Sequence, residues 1–403
     1  MNPRLELLKP YPFERLNELL AGVTPPALPY IALSLGEPKH PAPAFVVEKY
    51  AGKAEIEAGF GTYPPTAGLP ELRSAIAQFA NRRYGLDAQP VQGDSHVLPV
   101  NGTREALFAF AQAVIGSKEK SITLLPNPFY QIYEGAVLLA GSEPVYVPCH
   151  EENDFAPDFT AIEDDQWERC ELVYICTPGN PSGNVMTIDQ MQELIRLSDR
   201  YDFVIASDEC YSEIYADENN PPPGLLQAAA QMGRKDYKNC MVFNSLSKRS
   251  NLPGLRSGFV CGDENLISKF LLYRTYHGSA MSVHNQWASV AAWQDEEHVK
   301  ENRKLYRQKF DAVLDILDNV WPMSRPEASF YLWPATPIDD PAFAKSLFAK
   351  EHIKVLPGSY LSREVGGFNP GAGRVRMALV ATVDECVEAA ERLKRFMQDR
   401  AFE

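Results

Sequence analysis

Residues 172–211 read LVYICTPGNPSGNVMTIDQMQELIRLSDRYDFVIASDECY, and this stretch determines the fold class. Two short apolar runs, 172–176 and 203–207, flank residues 187–201, in which apolar side chains recur every three or four positions. Apolar runs of this length are typical of strands buried on both faces, whereas the periodicity between them is typical of a helix. The stretch therefore predicts a strand, a helix and a second strand parallel to the first.

The same alternation extends over most of the chain. Further strands are predicted at 96–100, 121–125, 143–147, 241–244 and 258–262, with helices at 69–84, 103–115, 130–140 and 264–276. After residue 280, long amphipathic helical patterns dominate, with short strands near 330–333, 353–356 and 374–379 and a last helix at 383–398.

This pattern predicts an α/β fold with two domains. Residues 45–283 are expected to form a large domain, in which a mainly parallel sheet is flanked by helices. Residues 1–44 and 284–403 are expected to form a smaller α+β domain.

The composition excludes several classes of protein. The chain has 403 residues, 45% hydrophobic and 23% charged, which is typical of a globular protein with a large core. Its 39 basic and 53 acidic side chains give a net charge of −14, which disfavours non-specific binding to nucleic acid or anionic lipid. The N-terminus has no apolar signal core, and no apolar stretch approaches the roughly 18 residues of a membrane span. We therefore expect a cytoplasmic protein that binds neither nucleic acid nor membrane.

Cysteine and histidine usage gives no sign of a metal or disulfide site. The seven cysteines are scattered and include no C-x-x-C pair, and the seven histidines show no spacing of metal ligands. We expect free thiols and no metal.

In an open α/β sheet, ligands bind beyond the carboxyl ends of the strands, so the loops that follow predicted strands are candidate sites. Four such loops carry polar side chains and glycines. They are 101–105 (NGTRE), 177–183 (TPGNPSG), 208–211 (DECY) and 245–248 (SLSK), the last followed by Arg256.

Each loop alone has an ordinary structural explanation. Lys248 could be a solvated surface lysine, Asp208 a helix N-cap, 177–183 a turn, and 101–105 a capping box. The chemical interpretation makes Lys248 an amine held near an anion, with the charge of Arg256 lowering its pKa. The helix start at 101–105 would offer free amides to a phosphate.

Together, the order and spacing of these motifs resemble one family. The chain resembles the class I and II aminotransferases, enzymes of fold type I that depend on pyridoxal phosphate. The resemblance spans nearly the whole chain, because the four loops occur together with Gly36-Glu-Pro, Tyr63, Pro128-Phe-Tyr130 and Arg376. It implies an enzyme that moves an amino group between an amino acid and a 2-oxo acid.

The resemblance implies a role for each residue of these motifs. Lys248 would bind the cofactor covalently and move a proton, and Asp208 would keep the pyridine nitrogen protonated. Tyr211 and Asn180 would hydrogen-bond the 3′-oxygen, and Tyr130 would stack on the ring. The residues implied around the phosphate are Gly102, Thr103, Ser245 and Arg256, and Arg104 and Ser247 are further implied cofactor contacts.

Substrate and subunit contacts are implied in the same way. Arg376 resembles the arginine that binds the substrate α-carboxylate, assisted by Gly36 and Asn180. Arg374 remains an alternative, because strand alternation puts both arginines on one face. Tyr63 resembles a tyrosine that reaches the phosphate of the neighbouring subunit, which implies a homodimer with shared active sites.

The N-terminal residues 1–16 and 35–40 are similar to those of bacterial N-succinyldiaminopimelate aminotransferases, which act in lysine biosynthesis. That similarity implies amino transfer between glutamate/2-oxoglutarate and N-succinyl-2-amino-6-oxopimelate. Both substrates carry a distal carboxylate, for which Lys39 and Arg274 are candidate cations. An aspartate, alanine or aromatic aminotransferase of the same family, or a pyridoxal phosphate-dependent β-lyase, remains an alternative.

Overall fold

The computed structural model of the chain describes residues 1–402, except for the side chain of Glu55. The strands are β1 (Ile31–Ala32), β2 (Val97–Val100), β3 (Ile122–Asn127), β4 (Glu143–Pro148), β5 (Cys170–Cys176), β6 (Val204–Asp208), β7 (Cys240–Ser245), β8 (Gly258–Gly262), β9 (Tyr331–Leu332), β10 (Ile353–Lys354), β11 (Leu356–Pro357) and β12 (Val375–Ala378).

The helices surround these strands. They are α1 (Pro12–Leu20), α2 (Ala44–Tyr50), α3 (Lys53–Phe60), α4 (Pro70–Tyr84), α5 (Gly93–His96), α6 (Thr103–Val114), α7 (Ile132–Ala140), α8 (Asp164–Arg169), α9 (Ile188–Tyr201), α10 (Leu225–Gln231), α11 (Leu246–Arg249), α12 (Glu264–His277), α13 (Val283–Gln294), α14 (Glu297–Leu317), α15 (Asp340–Glu351) and α16 (Val383–Gln398). Over residues 1–402, no helix combines the length and the apolar character that crossing a membrane requires.

Seven strands form the central sheet, in the order β2-β8-β7-β6-β5-β3-β4. Strand β8 is antiparallel to both of its neighbours, β2 and β7. The remaining neighbours are parallel. The predicted α/β fold with a mainly parallel sheet is therefore confirmed.

The unit β5-α9-β6 forms as its sequence predicts. Thr187 caps α9 by accepting a hydrogen bond from the Gln190 amide, and the Gln190 side chain completes a capping box. Asp202 ends the helix in the left-handed conformation, with φ of 53°. The buried stripe of α9, which contains Met191 and Leu194, packs on the sheet.

Both faces of the sheet are covered. On one face, residues of α4, α9, α10 and α13 join a single hydrophobic core with the strands. On the other face, α6, α7 and α12 do the same. This double coverage explains why the strands are continuous apolar runs.

A separate core lies in the C-terminal part of the chain. It contains residues of α14, α15 and α16 together with Ile31 and Leu33 from the N-terminal segment. Strand β1 pairs in parallel with β10, so the N-terminal segment joins this part. The predicted boundaries at 45–283 and at 1–44 with 284–403 stay a proposal. The core of the large sheet continues through α13, where Trp293 contacts Phe79 and Phe259.

Candidate active site

A cavity of about 570 Å³ lies where the carboxyl ends of the parallel strands face the C-terminal part of the chain. Twelve of the residues that the sequence singled out line it: Gly36, Thr103, Arg104, Tyr130, Asn180, Asp208, Tyr211, Ser245, Ser247, Lys248, Arg256 and Arg376. The sheet brings them together because each of the four predicted loops leaves a strand at this edge.

Lys248 follows β7, in the short helix α11, and its ammonium nitrogen donates a hydrogen bond to the carbonyl oxygen of Gly36. The pKa of Lys248 is lowered to about 8, mainly by burial and in smaller part by the positive charge of Arg376. The sequence had suggested Arg256 as the neighbouring cation. The structure places Arg376 in that role because β12 brings Arg376 towards Lys248.

Asp208 is the last residue of β6 and is buried. The Tyr133 hydroxyl donates to its Oδ2 at 2.7 Å, and the Cys210 amide donates to its Oδ1 at 3.2 Å. Burial raises the pKa of Asp208, whereas these hydrogen bonds and the charge of Lys248 oppose that rise. The hydrogen bonds from Tyr133 and Cys210 thus orient the carboxyl group of Asp208, which lines the cavity.

One end of the cavity is suited to an anion. Thr103 is the first residue of α6, so the helix dipole points its positive end at this site. Arg256 lies so close to Gly102 that a Cβ on that glycine would be 2.3 Å from Nη2. The Ser245 hydroxyl donates to the Ser247 hydroxyl at 2.9 Å, and both residues line the same cavity.

The opposite end carries Arg376, in β12. Its Nη1 donates to Asn180 Oδ1 at 2.8 Å, and its Nη2 donates to the Ser34 carbonyl at 2.8 Å. Its Nε is buried and has no hydrogen-bond partner among residues 1–402. A carboxylate is the group that an incompletely paired guanidinium would bind.

Arg374, the alternative to Arg376, points elsewhere. It donates to Glu151 at 2.6 Å and to the Trp333 carbonyl at 2.9 Å, and it does not line the cavity. The structure therefore favours Arg376.

Arg274 does not line the cavity of its own subunit, so a contact with a substrate carboxylate across a dimer interface stays a prediction. Its side chain is 0% exposed. The guanidinium donates to both carboxylate oxygens of Glu105, and to the Ser279 carbonyl at 2.7 Å. Both of its terminal nitrogens are therefore paired inside the protein.

Three other predicted residues also lie outside the cavity lining. Lys39 is exposed, and its charge acts on Glu385 at the start of α16. Tyr63 is 97% exposed. Gly102 lies directly behind the lining, against Arg256.

Nine further cavity residues were not predicted as individual site residues. They are Tyr11, Phe13, Leu35, Glu37, Gln131, Cys210, Pro253, Tyr331 and Leu361. Position beside a motif could have indicated Cys210, which lies between Asp208 and Tyr211 and contacts Thr103 Oγ1 at 3.0 Å. Tyr331 carried no signal, because its contact with Tyr211 joins residues that are 120 positions apart.

Comparison with known proteins identifies the family. Residues 29–393 match the family described as Aminotransferase class I and II. The chain belongs to the class I and II aminotransferases. This aminotransferase is 32% identical over 396 residues to the LL-diaminopimelate aminotransferase of Halothermothrix orenii, covering 97% of each chain.

Two crystal structures resemble the enzyme over almost their whole length. An aminotransferase from Neisseria meningitidis is 50% identical, with a TM-score of 0.93 and coverage of 98% of this chain and 100% of the other. The aminotransferase AspB from Helicobacter pylori is 34% identical, with a TM-score of 0.89 and coverage of 97% and 99%. The predicted family and fold class are confirmed.

Aminotransferases of this class depend on pyridoxal phosphate. The cavity residues fit that cofactor. A buried carboxyl, Asp208, suits a pyridinium nitrogen, and an amine of lowered pKa, Lys248, suits an aldehyde. The absence of a side chain at Gly102 leaves the helix start and Arg256 open to a phosphate.

Proposed function

We propose that this aminotransferase acts in diaminopimelate and lysine biosynthesis, moving an amino group between glutamate/2-oxoglutarate and N-succinyl-2-amino-6-oxopimelate. A substrate with a diaminopimelate skeleton is supported by the relative from Halothermothrix orenii, which is named for LL-diaminopimelate. The succinylated form is supported by the resemblance of residues 1–16 and 35–40. Unsuccinylated LL-diaminopimelate is the second candidate, because the relative is named for it.

The observation that supports a substrate with two carboxylates is the position of Arg104. Arg104 lines the cavity and is exposed, and its Cζ lies 5.5 Å from the centre of the Tyr11 ring. No carboxylate of residues 1–402 forms an ion pair with it, in contrast to Arg274. With Arg376 binding the α-carboxylate, Arg104 is the guanidinium available to a distal one.

Lys248 carries out the proton transfer in this proposal. Its lowered pKa keeps part of the amine neutral near neutral pH, so Nζ can accept a proton and return it. Bound pyridoxal phosphate supplies an electron-withdrawing ring and an aldehyde that holds the amino group between the two substrates. Asp208 keeps a proton on the ring nitrogen, and the Tyr133 hydroxyl keeps that carboxylate oriented.

The remaining cavity residues hold and orient the cofactor. Tyr211 and Asn180 would donate hydrogen bonds to the 3′-oxygen of the cofactor, and Tyr130 would stack on its ring. The amide of Gly102 and the side chains of Thr103, Ser245, Ser247 and Arg256 would hold the phosphate, with Arg104 as a further candidate. Arg104 is exposed enough to serve either the phosphate or the distal carboxylate, and its variant separates the two roles.

We further propose a homodimer with shared active sites. Three large aromatic side chains are strongly exposed: Phe60 is 77%, Tyr63 97% and Tyr276 88% exposed. Contact with a second subunit would bury them. A catalytically active monomer in sedimentation experiments at the assay concentration would contradict this proposal, and so would an unchanged affinity for pyridoxal phosphate in Tyr63→Phe.

A panel of 2-oxo acids with glutamate as amino donor tests the substrate. The panel compares N-succinyl-2-amino-6-oxopimelate with its unsuccinylated form, oxaloacetate, pyruvate and phenylpyruvate. We expect the highest kcat/KM for the succinylated acid. A preference of about tenfold or more for the unsuccinylated form would assign the second candidate instead. A similar preference for oxaloacetate or phenylpyruvate would contradict both and indicate an aspartate or aromatic aminotransferase.

The assignment of Lys248 has its own test. Borohydride reduction of the holoenzyme followed by peptide mass mapping should place the pyridoxyl group on Lys248. Lys309, which is also buried and whose pKa burial lowers to about 8, is the internal control for selectivity. A pyridoxyl group on Lys309 or another lysine would refute the assignment.

A further inference from the structure

Tyr331 is a cavity residue with no role in the function proposed above. It belongs to β9 and lies opposite Ala378 of β12, the strand that carries Arg376. The side chain is buried, with 2% of the residue exposed. Its ring and its hydroxyl contact different parts of the site.

The hydroxyl of Tyr331 contacts two cavity residues, Tyr211 and Gly36. It lies 2.9 Å from the hydroxyl of Tyr211. A Cβ on Gly36 would be 2.2 Å from the same oxygen, so the backbone at Gly36 passes directly against it. If the Tyr211 hydroxyl donates to the 3′-oxygen as proposed above, Tyr331 is the donor in this contact and Tyr211 accepts, which leaves the Tyr211 proton directed at the cofactor.

The ring of Tyr331 contacts Arg376, the residue proposed to bind the substrate α-carboxylate. The Cζ atom of Arg376 lies 4.5 Å from the ring centre, within the range of a cation–π contact. Asn180 and Ser34 hold the guanidinium by its two terminal nitrogens. The ring therefore fixes the plane of a guanidinium whose position the hydrogen bonds already define.

We propose that Tyr331 is a positioning residue that contacts two residues of the site: its ring orients Arg376 and its hydroxyl orients the hydroxyl of Tyr211. The inference rests on the proposed roles of Arg376 and Tyr211. In this proposal one residue of the C-terminal part of the chain, Tyr331, contacts both Arg376 and Tyr211. Neither residue can then shift without moving the same side chain.

Two variants separate the two contacts. Tyr331→Phe keeps the ring under Arg376 and removes only the hydroxyl. Tyr331→Leu removes both. Tyr306→Phe is the matched control, because Tyr306 is also buried and stacks on Phe330, but its hydroxyl has no hydrogen-bond partner among residues 1–402.

The measurements are made on the holoenzyme. The first is the pH titration of the visible absorption of the bound cofactor, which reports the hydrogen bonds at its 3′-oxygen without any turnover. The second is the split between kcat and KM for glutamate. Thermal unfolding with bound cofactor shows whether each variant is folded.

For Tyr331→Phe we expect a displaced absorption titration and a kcat lowered roughly 3- to 10-fold, with KM nearly unchanged, because one hydrogen bond is lost. For Tyr331→Leu we expect the same displacement and, in addition, a KM raised about tenfold, because the guanidinium loses its aromatic support. Tyr306→Phe should match the wild type in both measurements.

A wild-type titration and kcat in Tyr331→Phe would overturn the role of the hydroxyl. Equal KM values in Tyr331→Phe and Tyr331→Leu would overturn the role of the ring. If instead the wild-type enzyme transfers no amino group from glutamate, the proposed function fails. The absorption titration still tests Tyr331 in that case, because it needs only bound cofactor.

Discussion

Arg274 in α12 and Glu105 in α6 form a two-pronged ion pair: one guanidinium nitrogen lies 2.9 Å from Oε1 and 2.8 Å from Oε2. Glu105 also accepts a hydrogen bond from the amide of Asn101 at 3.0 Å. The pair therefore joins α12 to the loop that leads into α6, at the anion end of the cavity. Within its own subunit, Arg274 supports this end of the site without lining the cavity.

We predict that Arg274→Ala lowers stability and leaves the choice of substrate unchanged. Removing the guanidinium leaves the Glu105 carboxylate without its partner, which should cost roughly 2–4 kcal/mol of unfolding free energy. Urea unfolding of the holoenzyme measures this loss. The ratio of kcat/KM for a dicarboxylate donor to that for alanine should stay at the wild-type value. A selective loss on the dicarboxylate would return Arg274 to the substrate site.

Arg104→Ala should have the opposite profile. If Arg104 meets the distal carboxylate, its removal should lower kcat/KM for glutamate by roughly tenfold to a hundredfold and leave alanine nearly untouched. Arg200→Ala, which removes an exposed arginine of α9, is the control.

If Arg104 binds the phosphate instead, the variant should weaken cofactor binding and penalise glutamate and alanine equally. Equilibrium dialysis of pyridoxal phosphate distinguishes that outcome from a loss of substrate contact. Weaker cofactor binding, with equal losses on glutamate and alanine, would show that another residue binds the distal carboxylate.

Local patterns predicted the fold well, and the reason is visible in β5-α9-β6. Its strands are apolar because both faces of the sheet are covered, and α9 begins at a capping box. Both signals lie within a few residues of the elements that they define. The same holds for the cavity residues on the loops, because the rule that ligands bind beyond the carboxyl ends of strands needs only the order of elements.

Contacts between distant residues could not be predicted in this way. Arg274 and Glu105 are 169 positions apart, and nothing in either segment shows that they pair. The sequence indicated a cation near the site, and only the structure shows that its terminal nitrogens are already paired. For the same reason the cation acting on Lys248 proved to be Arg376 from β12, not Arg256 from the same loop.

The pKa of Lys248 leads to a prediction about cofactor uptake. Burial and Arg376 lower that pKa to about 8, so the reactive neutral amine is a minority below this pH and dominates above it. The rate at which apoenzyme binds pyridoxal phosphate covalently should rise roughly tenfold per pH unit below the pKa and level off above it.

Stopped-flow absorption after mixing apoenzyme with pyridoxal phosphate measures this rate. Lys248→Ala should show no covalent phase at any pH. A rate that keeps rising to about pH 10, as for an exposed lysine, would contradict the lowered pKa.

Glu209 leads to a prediction about stability. Its carboxyl group is completely buried beneath the site. Oε1 accepts hydrogen bonds from the Leu225 amide at 2.8 Å and from the Ser207 hydroxyl at 3.0 Å. Oε2 lies 2.8 Å from the Tyr84 hydroxyl. Burial raises the pKa of Glu209 from 4.5 to about 7, against the effect of these hydrogen bonds.

The raised pKa means that the folded protein holds a proton which the unfolded chain has already lost between pH 4.5 and about 7. This proton stabilises the folded state at low pH, and the stabilisation disappears as the pH rises through the folded pKa. Glu209→Gln is uncharged at every pH and so lacks this dependence. Its amide can donate to the Tyr84 hydroxyl, which then accepts, so the variant should fold.

We therefore predict that the stability of the wild type relative to Glu209→Gln falls by about 2 kcal/mol between roughly pH 5.5 and pH 7.5. Urea unfolding of both proteins at the two pH values measures the difference. Glu193→Gln, on the exposed side of α9, controls for the loss of one carboxylate and should show no such change. If the difference between wild type and Glu209→Gln were the same at both pH values, Glu209 would be ionised throughout this range in the folded protein, and burial would not control its protonation.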